Sequence, residues 1–246
     1  MARATEAFLT DIGVSRGWAC LDVGCGDGQV TLAMARAVGP TGRVVGIDID
    51  SEALELSRLQ SARAGLAVDF VRADAAQVVE PDAFELAYAR LVLSHLTDPL
   101  SVLQAMRDSV HPSGVVAIED LFAGTLRSDP PAAALDWLQE VYCATVRDHG
   151  GDPTIGPRLR ALLAATNLEN IHEHTVTNAM RTVDEKLFLA ELIDGMRDAI
   201  VAAGAATPAE LTHLRAAVER AARDPETVFY QARIHQVRGQ RQQAPA

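Results

Sequence analysis

Residues 19–28, ACLDVGCGDG, constrain this chain more than any other stretch. A short apolar run, Ala19–Val23, meets glycines at positions 24, 26 and 28, and residues 30–38 then carry apolar side chains at helical spacing. That order reads as strand, tight loop, helix. Glycines allow positive φ and a close approach to the backbone, and a helix that starts at the loop offers unpaired N–H groups. The unit recurs. Arg43–Asp48 is a second strand, Ser51 reads as an N-cap with Glu52 in the first turn, and residues 53–63 form a helix ended by Gly65. Residues 67–71, 84–88 and 115–119 are three further strands, with a helix over 98–110 that starts at Pro99 and a turn at 111–114. Consecutive units of this kind build a right-handed, doubly wound, mostly parallel α/β sheet.

After Asp120 the rhythm changes. Helices are expected over 132–149, 157–166, 184–203 and Pro208–Arg223, with strands at Leu168–Val176 and 228–237 and a frayed polar tail from Gly239. The sum is seven strands in a single domain spanning 1–246. Residues 15–120 form its core, and 121–155 with 178–226 are helical insertions. Open α/β sheets bind ligands at the carboxyl edge of the strands, so the insertions are expected to cover that edge as a lid.

Composition excludes several classes. With 246 residues, 48% hydrophobic and 22% charged, the chain belongs with globular proteins rather than disordered or fibrous ones. A net charge of −11 disfavours nucleic acid and anionic membrane surfaces as partners. No apolar run reaches the roughly 18–20 residues of a membrane span, and MARATEAFLT lacks the apolar core of a secretion signal. Cys20, Cys25 and Cys143 form no C-x-x-C pair, which points away from disulfides and zinc and toward a cytoplasmic setting.

Asp48 ends the second strand 20 residues beyond Gly28, where a carboxylate can accept from both hydroxyls of a ribose. A dinucleotide fingerprint would place its third glycine where Gln29 stands, and a P-loop would need a Gly-Lys-Ser/Thr that is absent. Asp22 and Asp27 add carboxylates beside the loop, which suits a cationic ligand better than a pyrophosphate. LDVGCGDG followed by VVGIDID resembles the first two motifs of the class I S-adenosylmethionine-dependent methyltransferases. The resemblance continues through VRADAAQ, FELAYARLVLSHLTDP and MRDSVHPSGVVAIED, covering about residues 15–120, with a Ser113-Gly114 turn where many relatives carry Pro-Gly-Gly. It implies a Rossmann-like methyltransferase fold and a methyl donor lying over Asp22, Gly24, Cys25, Gly26 and Gly28. Asp48 would hold the ribose and Ile49 would pack on the adenine. Asp74 with Ala75 would meet the adenine amino group, and the backbone at Arg90 would face the methionine part.

Methyl transfer needs alignment and exclusion of water more than a dedicated catalytic group, and a base only where the acceptor must lose a proton. His95, after the fourth strand, is the candidate base, with a structural helix-entry role as its other reading. Glu119 and Asp120, Tyr142 and His149 are candidate acceptor contacts, and Trp137 and Phe188 could line the same pocket or serve as core. His172 and His174 share a strand face without a third ligand, so no metal is expected. The leading function is methyl transfer to an O, N or C atom of a small molecule, by a monomer or homodimer, with a secondary-metabolite or quinone-like acceptor expected. A nucleic-acid methyltransferase, a donor-binding cyclase or binding protein without transfer, and a nicotinamide oxidoreductase are the alternatives. Ala89-Arg90-Leu91-Val92 stands where base-amine methyltransferases carry Asn/Asp-Pro-Pro-aromatic.

Overall fold

The amino-terminal residues carry neither a strand signal nor a glycine, yet Phe8, Leu9 and Ile12 recur at helical spacing and bury against the sheet as α1 (Ala2–Ile12). The sequence reading assigned this segment no element. The structure, a computed structural model, describes residues 2–77 and 80–243.

Beyond α1 come β1 (Ala19–Val23), α2 (Gln29–Val38), β2 (Arg43–Asp48), α3 (Ser51–Ala64), β3 (Asp69–Arg72), β4 (Phe84–Arg90), α4 (Pro99–Ser109) and β5 (Val110–Phe122). Then follow β6 (Arg127–Asp129), α5 (Ala133–Asp148), α6 (Leu159–Ala165), β7 (Leu168–Val176) and β8 (Ala179–Met180). The chain ends with α7 (Val183–Gly195), α8 (Arg197–Ala202), α9 (Pro208–Arg223), β9 (Val228–Tyr230) and β10 (Arg233–Arg241).

The main sheet has seven strands in the order β3-β2-β1-β4-β5-β10-β7. Its first five strands pair parallel, and β10 runs antiparallel to both β5 and β7. The order reverses between β1 and β4, so a crevice opens at their carboxyl ends. One face buries Leu21, Val45, Ala87 and Ile118 beneath α4 and α6, and the other buries Cys20, Leu86, Tyr88 and Ala117 beneath α1 and α2. A second core joins α5, α7, α8 and α9 to a small sheet, β6-β9-β8, through Leu135, Leu138, Ile193, Leu214 and Phe229.

Several expected boundaries move. The cap of α3 is Asp50 rather than Ser51, since its carboxylate accepts from the N–H groups of Glu52 and Ala53. β3 starts two residues late because Leu66 is held by the end of α3: Leu66 N donates to Ser61 O, and Ser61 Oγ donates to Leu66 O. Residues 184–203 break after Gly195 into α7 and α8. The run 228–237 also divides, with Tyr230 pairing Arg127 in the small sheet and Arg233 pairing Phe122 in the main one. Of the tail expected to fray from Gly239, the part through Arg241 is strand, with the Arg241 guanidinium donating to Val110 O at 2.6 Å, and residues 244–246 lie outside the described residues.

Candidate functional site

The glycine loop is built by its backbone. Cys25 N donates to Ile47 O at 2.9 Å and Gly28 N to Cys25 O at 2.9 Å, tying the loop to β2 and closing it on itself. Gly24 has φ +67°, and a Cβ there would stand 2.4 Å from Val92 Cγ2, so the site admits only glycine. Gly26 differs. Its φ is +53° with open space where a Cβ would sit, so the loop's outer side is a cradle bounded only by backbone.

Asp48 lies beside that cradle. Its Oδ2 accepts from Gly26 N at 2.9 Å and its Oδ1 from Asp50 N at 2.9 Å, which leaves each oxygen a lone pair for a ligand hydroxyl. Ile49 next to it is 64% exposed, an apolar platform open to a ligand. Asp74 is exposed in the loop after β3, where it accepts from Ala76 N, while Ala75 packs on the core and Ala73 N donates to Asp48 O. Asp22 is buried beneath the loop and accepts from Thr31 Oγ1 at 2.5 Å. Burial pushes its carboxyl up to about 7, against the pull of Thr31 and Arg90. A cation placed above Asp22 would repay the cost of ionising it. Open cradle, diol acceptor, apolar plate and buried carboxylate fit an adenosyl group that carries positive charge. Cys25 is buried in the loop with its thiol pushed up by burial, so it is inert there.

A second space begins where β4 ends. Leu91 holds φ +56°, unusual for a bulky side chain, and its N–H donates to Glu119 O at 2.8 Å. Leu91 thereby lines a cavity of about 360 Å³, while Val92 packs against Gly24. One short segment therefore walls both the glycine loop and the cavity. The remaining lining is mostly apolar, including Leu121, Leu138, Phe188, Leu192 and Met196, with His95, Gln139, Tyr142 and Gln231 as its polar groups.

His95 ends a 3-10 turn, Leu93–His95, and its exposed ring sits on the cavity wall. Partial desolvation against the wall holds its pKa below the ordinary histidine value; Asp120 pulls it up and His149 pushes it down. Asp120 is fully buried behind the turn, with Oδ2 accepting from Ser94 N at 3.0 Å and Oδ1 from Leu121 N at 2.8 Å. Burial raises its pKa, against those two bonds and His95. Tyr142 lines the cavity with its phenol pushed up by burial.

Other candidates lie elsewhere. Glu119 is 2% exposed on the opposite face of β5 from Asp120, where its carboxylate accepts from Thr5 Oγ1 and Gln236 Nε2, each at 3.0 Å, and pairs with Arg90 at 3.5 Å. It does not line the cavity. His149 caps the end of α5, its Nδ1 meeting Thr145 O at 2.9 Å, outside the lining. Trp137 packs on the second core, whereas Phe188 reaches the cavity. Gln231, on the junction between β9 and β10, and Ile234, at the start of β10, also line it, and the alternating run 228–237 gives no sign of that junction. His172 and His174 lie exposed on edge strand β7, and no metal-binding group occurs among the described residues.

Residues 15–159 match the methyltransferase domain family. A ubiquinone biosynthesis O-methyltransferase of Ralstonia nicotianae is 39% identical over 132 residues, 53% of this chain and 52% of that protein. A demethylmenaquinone methyltransferase of Staphylococcus aureus is 34% identical over 122 residues, 49% and 50% of the two chains. The match thus spans about half the length of these curated relatives. Among solved structures, the YcgJ protein of Bacillus subtilis superposes with a TM-score of 0.66 at 15% identity, covering 98% of this chain and all of that one, which shows the fold. With the family matched across the glycine loop, Asp48, the Leu91–His95 wall and Asp120, the chain belongs to the class I S-adenosylmethionine-dependent methyltransferases.

Proposed function

We propose that this protein moves a methyl group from S-adenosylmethionine to a small, largely apolar acceptor in the 360 Å³ cavity beside Leu91. The observation that carries the reading is the shared wall. Val92 contacts the glycine loop while Leu91 and His95, in the same segment, face the cavity, so donor and acceptor spaces meet at one turn. The donor supplies an activated methyl on sulfur, and the protein's part is alignment and dryness. Asp48 holds the ribose, Ile49 covers the adenine with Asp74 and Ala75 at its edge, and Gly24, Cys25, Gly26 and Gly28 let the ligand approach the backbone. Asp22 faces the positive methionine part near Arg90. Residues of 121–142 and 188–196 supply most of the apolar lining, which supports the reading of the insertions as a lid.

A ring with an apolar substituent suits this lining. Two relatives are named as a ubiquinone biosynthesis O-methyltransferase and a demethylmenaquinone methyltransferase, which supports a quinone-like or hydroxylated aromatic acceptor here. A nucleobase would find few hydrogen-bonding partners in such a wall. No helix among the described residues is long and apolar enough to cross a membrane. Three buried free thiols suit a reducing cytoplasm, which belongs to the same reading.

The test incubates the protein and methyl-labelled donor with alkylated catechols, hydroxynaphthoquinones and total RNA. Label should enter an organic-extractable aromatic, and Leu192→Trp, which fills the cavity, should abolish transfer while S-adenosylhomocysteine affinity persists. Label in RNA, or transfer untouched by Leu192→Trp, would contradict the assignment. Tight donor binding with no transfer to any acceptor would favour a cyclase or a binding protein instead.

A further inference from the structure

We infer that Gln139 is a specificity-determining residue: its side-chain amide, on the cavity wall, donates to a carbonyl oxygen of the acceptor and so fixes which end of that molecule is turned to the Leu91–His95 segment. The inference rests on the proposed methyl transfer and deepens it, because it sets a second polar requirement on the acceptor, apart from the atom that takes the methyl group.

An amide can face either way round, and here the backbone decides. Leu126 N donates to Gln139 Oε1 at 3.1 Å and shares its hydrogen with Ala123 O at 3.3 Å. A backbone N–H can only donate, so the oxygen of the Gln139 amide must turn to it, and the nitrogen turns away with two hydrogens. Among the described residues none accepts from that nitrogen. Gln231, the other amide on the lining, differs: its Oε1 accepts from Asn178 Nδ2 at 3.1 Å and its Nε2 meets Met180 Sδ at 3.6 Å. Gln139 is the amide on this wall whose donors are left to a ligand.

Tyr142 stands three residues farther along α5, on the same face of the helix, and lines the same cavity. Burial, and then the charge of Asp120, raise its pKa, so the phenol keeps its hydrogen at neutral pH and is a second donor. Asp120 backs the turn that ends at His95, through the N–H of Ser94. Tyr142 is therefore the donor nearer that turn, and Gln139, tied to Leu126, is the farther one.

An apolar ligand would strip water from those N–H groups and give nothing back, which costs free energy. A carbonyl oxygen has two lone pairs and no hydrogen of its own, so it matches donors that have no other partner. A hydroxyl placed there would bring a hydrogen that the surrounding leucines cannot accept. A carboxylate would meet neither arginine nor lysine on the lining and would be desolvated without an opposite charge. With the carbonyl held at Gln139, the opposite end of the acceptor is presented to Leu91 and His95, where the cavity adjoins the wall of the glycine loop.

Calorimetry on the full chain with S-adenosylhomocysteine bound compares two probes, 6-hydroxy-1-tetralone and 6-hydroxytetralin. They share the fused rings and the phenol and differ only by a carbonyl against a methylene. The ratio of ketone affinity to tetralin affinity should fall about 5-fold or more from wild type to Gln139→Leu, the worth of one hydrogen bond. Gln139→Glu keeps an oxygen for Leu126 N, so that contact persists and guards against a variant that misfolds. It sets a carboxylate against the carbonyl, and at a mildly alkaline pH the ratio should fall at least as far. The same ratio in wild type and Gln139→Leu, a ratio that rises in Gln139→Glu, or uptake of neither probe by wild type would overturn the inference. Failure of wild type to bind S-adenosylhomocysteine would instead remove the underlying methyl-transfer reading, and the same comparison without it still decides the role of Gln139.

Discussion

Asp48 is the residue on which the proposed donor binding turns most directly. Its two oxygens fix the loop through Gly26 N and Asp50 N and retain the lone pairs that a ribose diol would use. Asp48→Ala should weaken S-adenosylhomocysteine binding by about 1–3 kcal/mol in calorimetry, the loss of charged hydrogen bonds. Unchanged affinity in a folded variant would refute that role. Asp22 carries a different signature, because burial raises its carboxyl to about 7. A carboxylate raised above its unfolded value of about 3.9 holds an extra proton in the folded state between those two values. Its contribution to stability is present at low pH and lost as pH rises through about 7. Asp22→Asn without donor should therefore gain stability over wild type at pH 8 and little at pH 4, as read by urea denaturation. A gain equal at both pH values would show that Asp22 is not buried as a proton carrier.

The elements differ in how far the chain announces them. The β1-loop-α2 unit and the Asp48 tip were legible because each rests on local chemistry: glycines where φ must be positive, an acid where a strand ends. The cavity was legible only in part. His95, Tyr142 and Phe188 stand out in the sequence as candidates, but Gln231 and Ile234 reach it because β9 and β10 lie in different sheets, a tertiary fact that period-two alternation cannot carry. Glu119 fails for a related reason. A strand-end acid points to either face by parity, and α1, which brings Thr5 to it, had no sequence signal strong enough to mark it. Lys186, the chain's only lysine, is fully buried at the start of α7. Its Nζ donates to Asp224 O at 2.8 Å and Thr227 O at 2.9 Å, fastening the helix that carries Phe188 and Leu192 to the end of α9. Lys186→Met should orphan both carbonyls and cost about 1–3 kcal/mol in thermal or urea unfolding. It should also raise KM for the acceptor more than for the donor; an equal rise in both would detach α7 from the acceptor site.

At the scale of the molecule, two cores divide the labour. The parallel sheet holds the glycine loop and Asp48 at its switch point, while the second core of α5, α7, α8, α9 and the small sheet carries most of the apolar wall. The segment from Leu91 to His95 joins them, and the proposed transfer is set there. The decisive measurement is a crystal structure with S-adenosylhomocysteine. The account places its adenosine over Gly26 and Ile49, its ribose on Asp48 and its sulfur facing Leu91 and the cavity. An adenosine bound elsewhere, or a sulfur directed away from that cavity, would contradict it.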